Sequence, residues 1–391
     1  MIDIPERRSI IGGLGISRIG RRTGIPALEL SLESSREAIA DAGLSASDID
    51  GVATLGDTPL AELQTALGLD LAYTGGGFDT GGLLSPVMSA CLAVAEGRAN
   101  HVLVYRTVQM IGGTMLPGQG SPPAPADGAD PPAAFASVMA DVGPLLASHA
   151  YSAANWLAMH CRRHMHLYGT TKDQLGWLAV NSRHNAGLNP RAVYRERITL
   201  DDHRSARPVS DPFGLLDCDV PVDGSIAVVV SRAEHAADCP HPPVRVAAMG
   251  GSSGDGGWFH RPDYPAMAST DAAAEMWAKT DLGPADVDVA ELYDGFTFLT
   301  LAWLEALGFC GTGESGPFVD GATRIALDGE LPLNTYGGQL SAGRMHGYWV
   351  LHEACTQLRG DAGPRQVAGG PEVAVVSNGG GPIAGCLLLT R

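Results

Sequence analysis

Three C-terminal segments combine reactive side chains with glycine: residues 291–296 (ELYDGF), 334–347 (NTYGGQLSAGRMHG) and 377–382 (SNGGGP). Glycine lets a backbone approach a ligand closely and present its N–H donors, which is what stabilising an oxyanion requires. Tyr293, Asp294, Arg344 and His346 add a phenol, a carboxyl, a guanidinium and an imidazole, the groups from which proton transfer and charge stabilisation are built. A glycine run after a strand is also an ordinary tight turn, so these segments carry weight together rather than singly. His160, His164 and His166 have a metal-like spacing, yet on a helix over residues 153–167 the first two share a face and the third does not, and no metal is expected there. The seven cysteines are scattered without a C-x-x-C pair, which fits reduced, buried thiols rather than a disulfide framework or a zinc knuckle.

The elements that must position these groups follow from the hydropathy pattern. Stretches rich in β-branched residues at 10–19, 102–106, 226–231, 244–249, 289–292, 373–377 and 386–390 read as strands, and Ala-rich stretches at 27–42 and 84–96 read as helices. That alternation predicts an α/β fold. Residues 116–134, dense in Pro, Gly and Ala, predict an exposed loop long enough to be a lid or an interface, and glycine-rich 250–257 is a candidate tunnel wall. Residues 44–50 (LSASDID) recur as 282–288 (LGPADVD), each after a helix and before a strand. Two similar halves, 1–240 with a loop or lid insertion at about 112–215, and 241–391, are therefore expected.

Composition sets the outer limits. A formal charge of −17 argues against nucleic acid or an anionic membrane as partner. A hydrophobic content of 45% with 18% charged residues is that of a chain with a sizeable core. No apolar run approaches the roughly 20 residues of a membrane span, and residues 1–8 lack the apolar region of a secretory signal. A cytoplasmic location is expected.

In order along the chain, residues 97–103 (GRANHVL), 215–218 (LLDC) through 223–225 (DGS), 293–296 (YDGF), 337–340 (GGQL) and 379–381 (GGG) resemble the thiolase superfamily, specifically its sterol-carrier-protein-type thiolase-like branch. The resemblance covers nearly the whole chain. It implies a thiolase fold of two pseudo-equivalent βαβαβαββ halves in a five-layer αβαβα arrangement, commonly a homodimer, acting on coenzyme A thioesters. Coenzyme A would then enter as part of the substrate, with no bound cofactor. Relatives in this branch often work with a small accessory protein carrying an OB-fold and a zinc ribbon, so a heterotetramer is implied as well.

The departures from the family decide the chemistry. The spacing to Gly97 puts Thr80 where thiolases carry the nucleophilic Cys; by the resemblance, Ser377 before the triple glycine matches their second Cys, and Arg344 matches the His of their Gly-His-Pro segment. A threonine beside an arginine supplies neither a strong nucleophile nor its base. The steroid side-chain-cleaving aldolases also lack the Cys. They perform a retro-aldol cleavage of a β-hydroxyacyl-coenzyme A with two tyrosines, one matching Tyr293 and the other Arg344, while Tyr336 and Tyr348 lie nearby in sequence. The resemblance thus implies a carbon–carbon lyase on a steroid or other bulky side-chain thioester. Tyr293 would be the base if a cation such as Arg344 lowers its pKa, with Arg344 and His346 polarising the thioester. Asp294 would be a further site carboxyl, one that orients neighbours or caps a helix rather than abstracting protons, and Thr80, Gly338, Ser377 and Gly380 would contact substrate or coenzyme A. A divergent acyltransferase using Thr80, Ser377 or Cys91 and a non-catalytic thiolase-like subunit are the competing expectations.

Overall fold

The structure is a computed structural model that describes residues 4–55, 58–77, 81–110, 142–252 and 257–391. The expected loop at 116–134, Thr80, and half of the glycine-rich stretch at 250–257 lie outside the described residues.

Among the described residues nine strands form one continuous hydrogen-bonded ladder, whose two layers join at β1 and β8, in the order β3 (Tyr73–Gly76), β2 (Gly51–Thr54), β4 (His101–Gln109), β7 (Asp223–Arg232), β1 (Ser9–Ile16), β8 (Val244–Ser252), β11 (Ile383–Thr390), β10 (Val373–Gly380) and β9 (Val289–Glu291). A small hairpin, β5 (Pro208–Ser210) and β6 (Phe213–Gly214), stands apart. The order repeats about the β1–β8 seam. On one side β2 pairs with β4 in parallel and β4 with β7 antiparallel; on the other β9 pairs with β10 in parallel and β10 with β11 antiparallel. Leu333 bridges to Ala290 in parallel and takes the place that β3 holds beside β2. Both copies of the repeated sequence form a short 3-10 turn leading into the strand, at Ala46–Asp48 and Pro284–Asp286. Two pairs, Ile10–Arg245 and Ile11–Val244, stitch the halves edge to edge.

Layering follows from which faces are apolar. Helix Ala27–Asp41 covers β1, β4 and β7, and helix Ala268–Trp277 covers β8 and β11. Each buries one side only. Helix Tyr348–Arg359 buries every residue except His352 and packs on strands of both halves, and helix Ser85–Ala95 is likewise buried over most of its surface. A helix buried on nearly all sides belongs between layers rather than outside them. These two form the middle of a helix–sheet–helix–sheet–helix stack, the expected thiolase arrangement. The described part of the insertion between β4 and β7 holds helices Ala153–Tyr168 and Lys172–Leu188.

Helix Thr297–Ala306 ties a second hydrophobic core, built around Phe298, Trp303 and Leu388, to the glycine-rich end of β10. Trp303 on it is fully buried, and its indole N–H donates to the Gly379 carbonyl at 3.1 Å. Trp303→Ala is expected to cost about 3–5 kcal/mol through the cavity it leaves, read as a lower urea midpoint at unchanged slope.

Candidate active site

Tyr293 leaves the end of β9 on a backbone held by two side chains. The Leu292 N–H donates to Asn334 Oδ1 at 2.7 Å and the Tyr293 N–H to Ser377 Oγ at 3.0 Å. The phenol then lies across Gly295, where a Cβ would sit 2.9 Å from its ring and 3.2 Å from its hydroxyl. Only glycine leaves the ring that space.

A second segment is clamped against the first. The Asp219 N–H donates to the Gly295 carbonyl at 3.1 Å, the Val220 N–H to the Gln339 carbonyl at 2.9 Å, and the Arg344 N–H to the Val220 carbonyl at 2.8 Å. Three segments distant in sequence thereby meet. Arg344 Nε stands 3.1 Å from Asp219 Oδ2; the Asp219 side chain is 11% exposed and that of Arg344 36%.

These groups open on a cavity of about 190 Å³. Leu83, Leu157, Trp258, Phe296, Leu299 and Ile383 form its apolar wall, and Gly82, Gly295, Gly379 and Gly380 bring backbone to its surface. Asp219, Tyr293 and Arg344 are the only ionisable side chains on it among the described residues, and no Cys, Ser or Thr is among them. Burial pushes the Tyr293 phenol up to about 12, with Arg344 opposing only in part. Burial likewise pushes the Asp219 carboxyl up to about 6 against the pull of Arg344. The site therefore joins a neutral phenol, a carboxylate near its titration point and a cation in an apolar pocket.

Comparison with known proteins places this geometry. Residues 251–387 match the family model "Thiolase C-terminal domain-like". The chain is 35% identical over 389 residues to the steroid side-chain-cleaving aldolase of Thermomonospora curvata, covering 97% of both chains. It is also 35% identical to the 17-hydroxy-3-oxo-4-pregnene-20-carboxyl-CoA lyase of Mycobacterium tuberculosis, over 97% of this chain and 99% of that one. The chain belongs to the steroid side-chain-cleaving aldolase family of thiolase-like proteins. Among solved structures it is similar to the Ltp2-ChsH2(DUF35) aldolase, with a TM-score of 0.89 at 32% identity, covering 100% of this chain and 99% of that one.

Within this aldolase-family chain the expected site residues divide. Tyr293, Arg344 and Gly380 line the cavity. Tyr293 does not have the lowered pKa that the role of base requires, because burial outweighs the neighbouring cation. Ser377 is fully buried and holds the backbone of Tyr293 instead of facing the cavity. Asp294 is also fully buried, and its carboxylate accepts the N–H groups of Gln339 at 2.8 Å and Leu340 at 3.4 Å, capping the π-helical turn Gly338–Ala342. Gly338 belongs to that cap: at φ +61° a Cβ would lie 1.9 Å from Asp294 Oδ2.

His346 is buried off the cavity wall, and its Nδ1 meets the Arg106 guanidinium. Burial, with Arg344 and Arg106 beside it, holds the imidazole well below its ordinary value. It is neutral, with Nε2–H as its remaining donor, and is no imidazolium acid. Tyr336, stacked on Trp349, and Tyr348 are core residues and do not replace the family's second tyrosine on the wall. Cys91 is fully buried with its thiol pushed up to about 12, the opposite of an activated nucleophile. On the long helix, His160 packs on Trp258 and Tyr264, His164 bonds Glu305 and Thr170, and His166 is exposed.

Asp219 is the site residue that sequence reasoning passed over. It sits inside the 215–225 segment that carries the family resemblance, but its approach to Arg344 depends on backbone bonds between three distant segments. The segment carries three aspartates, Asp217, Asp219 and Asp223, so the sequence offered no signal to single out Asp219.

Burial raises the Asp294 carboxyl to about 7, against the two N–H groups that pull it down. A carboxyl that holds its proton more tightly folded than unfolded stabilises the native state most at low pH. That contribution is lost as pH rises from the unfolded value near 4 to about 7. Asp294→Asn is therefore expected to flatten the fall in stability between pH 4 and pH 7, read from urea midpoints across that range.

Proposed function

We propose that the protein cleaves a β-hydroxyacyl-coenzyme A thioester by a retro-aldol reaction, releasing a ketone or aldehyde and a shortened acyl-coenzyme A. The observation that carries this reading is the cavity wall, which offers a phenol, a carboxylate and a guanidinium but, among the described residues, no thiol or hydroxyl nucleophile of the Cys, Ser or Thr kind. Acyl transfer through a covalent intermediate needs such a nucleophile. Retro-aldol cleavage needs only a proton removed from the β-hydroxyl, a stabilised enolate and a proton returned to carbon.

In this reading Tyr293 is a proton-transfer group, and the Arg344 fork pairs with the oxygen of the thioester enolate. An arginine suits that task because its charge is permanent and its donors are planar. The apolar wall favours a bulky acyl part, in keeping with the steroid and the pregnene thioester named for two relatives, and coenzyme A enters as part of the substrate. The similar solved structure is of Ltp2 together with ChsH2(DUF35). We include in the proposal a homodimer joined by a small OB-fold and zinc-ribbon subunit as a heterotetramer. No described helix is long and apolar enough to cross a membrane.

The test is turnover of a panel of β-hydroxyacyl- and β-ketoacyl-coenzyme A thioesters by the purified chain, alone and with an OB-fold subunit, with products followed by mass. A ketone or aldehyde plus a shortened thioester from β-hydroxy substrates is the expected result. Cleavage confined to β-keto substrates, and only with free coenzyme A present, would replace this reading with a thiolase.

A further inference from the structure

We propose, resting on the retro-aldolase reading above, that Asp219 is the base that takes the β-hydroxyl proton and that Tyr293 is the acid that protonates the enolate carbon. The reaction moves one proton off oxygen and one onto carbon, so it needs two groups that exchange protons. The family resemblance supplies two tyrosines, and this chain has Arg344 in place of the second. A guanidinium stays protonated in proteins and transfers none. Among the described residues of the wall, Asp219 is the only other group that can.

Its surroundings differ from those of the neighbouring carboxylates. The Asp217 carboxylate is filled by His203 Nε2, Thr297 Oγ1 and the Gly214 N–H, and that of Asp294 by two backbone N–H groups. Asp219 has one polar side-chain contact among the described residues, Arg344 Nε, and accepts no hydrogen bond from them. Asp219 lines the cavity, so its remaining lone pairs are left for a substrate hydroxyl.

The step balances without a co-reactant. The Asp219 carboxylate takes the hydroxyl proton and the oxygen's electron pair closes the new carbonyl. The bond between the α and β carbons breaks, and its pair moves into the thioester as an enolate paired with Arg344. The Tyr293 O–H gives its proton to the α carbon. The phenolate then recovers a proton from the Asp219 carboxyl, and both groups return to their starting states.

The protonation states agree with this order of events. Asp219, at about 6, is an anion at neutral pH, and Tyr293, at about 12, is a phenol. The groups that act on or respond to Asp219 are Arg344, Tyr293, Asp294 and the adjacent Cys218.

The experiment follows kcat/KM against pH for β-hydroxyacyl cleavage and, separately, exchange of solvent deuterium into the α carbon of the shortened acyl-coenzyme A. Wild type should lose activity below about pH 6. Asp219→Asn should lower kcat about 100-fold or more with little change in KM and abolish that acid limb. Asp219→Glu should recover part of the rate, and Tyr293→Phe should lose the exchange. Circular dichroism and the urea midpoint of each variant check that it folds. Cleavage by Asp219→Asn within threefold of wild type, or retention of exchange in Tyr293→Phe, would overturn the assignment while leaving the retro-aldolase reading intact. Absence of β-hydroxyacyl cleavage by the wild type would overturn that reading itself, and the assignment with it.

Discussion

Tyr293→Phe should lower kcat for β-hydroxyacyl cleavage by about 10²–10⁴-fold, the usual contribution of a positioned proton donor, with KM nearly unchanged. The substitution removes one oxygen and leaves the ring, which still lies across Gly295 and still packs in the second core. The backbone bond from residue 293 to Ser377 Oγ is independent of the side chain and survives. A fall in kcat with an intact urea midpoint would assign the loss to chemistry. Steady-state kinetics with one cleaved thioester is sufficient, and a variant that keeps more than a third of wild-type kcat would remove Tyr293 from the reaction.

Arg344→Met should act twice and therefore nearly as strongly. It takes away the cation that pairs with the enolate and the one that holds the Asp219 carboxylate ionised in a buried place. Without it, the folded-state pKa of Asp219 rises above about 6. The acid limb of kcat/KM should move to higher pH, and the rate at pH 7 should fall by about 10²–10³-fold, in the range seen when one preorganised oxyanion donor is removed. Arg344→Lys restores the charge without the planar fork and should return the limb toward its wild-type position while recovering only part of the rate. A pH profile unchanged in Arg344→Met would break the link between the two side chains.

The fold was legible because hydrophobic periodicity and a repeated seven-residue segment reported it directly. The helix expected at 27–42 and the strand at 226–231 appear as Ala27–Asp41 and Asp223–Arg232. The joining of β1 to β8 was not legible, since edge pairing leaves no mark in the period of either strand.

The candidate site was half legible. Tyr293 and Arg344 stood out through their glycine-rich settings. The capping role of Asp294 was legible from an acidic residue set before a turn. Sequence could not say that Ser377 spends its oxygen on a backbone N–H group, because a serine at the end of a strand looks the same whether it faces a ligand or a peptide bond. Nor could it give the sign of the Tyr293 shift, which depends on the balance between burial and one cation.

The backbone clamp through residues 219 and 220 has a further meaning. Asp219 comes from the chain before β8, whereas Tyr293, Gln339 and Arg344 come from the chain after it, and the bonds joining them are amide to carbonyl. The candidate site is thus shared between the two parts of the chain. A change that loosens how they seat on each other is expected to separate the carboxylate from the phenol, so turnover reports on their docking as well as on the chemistry.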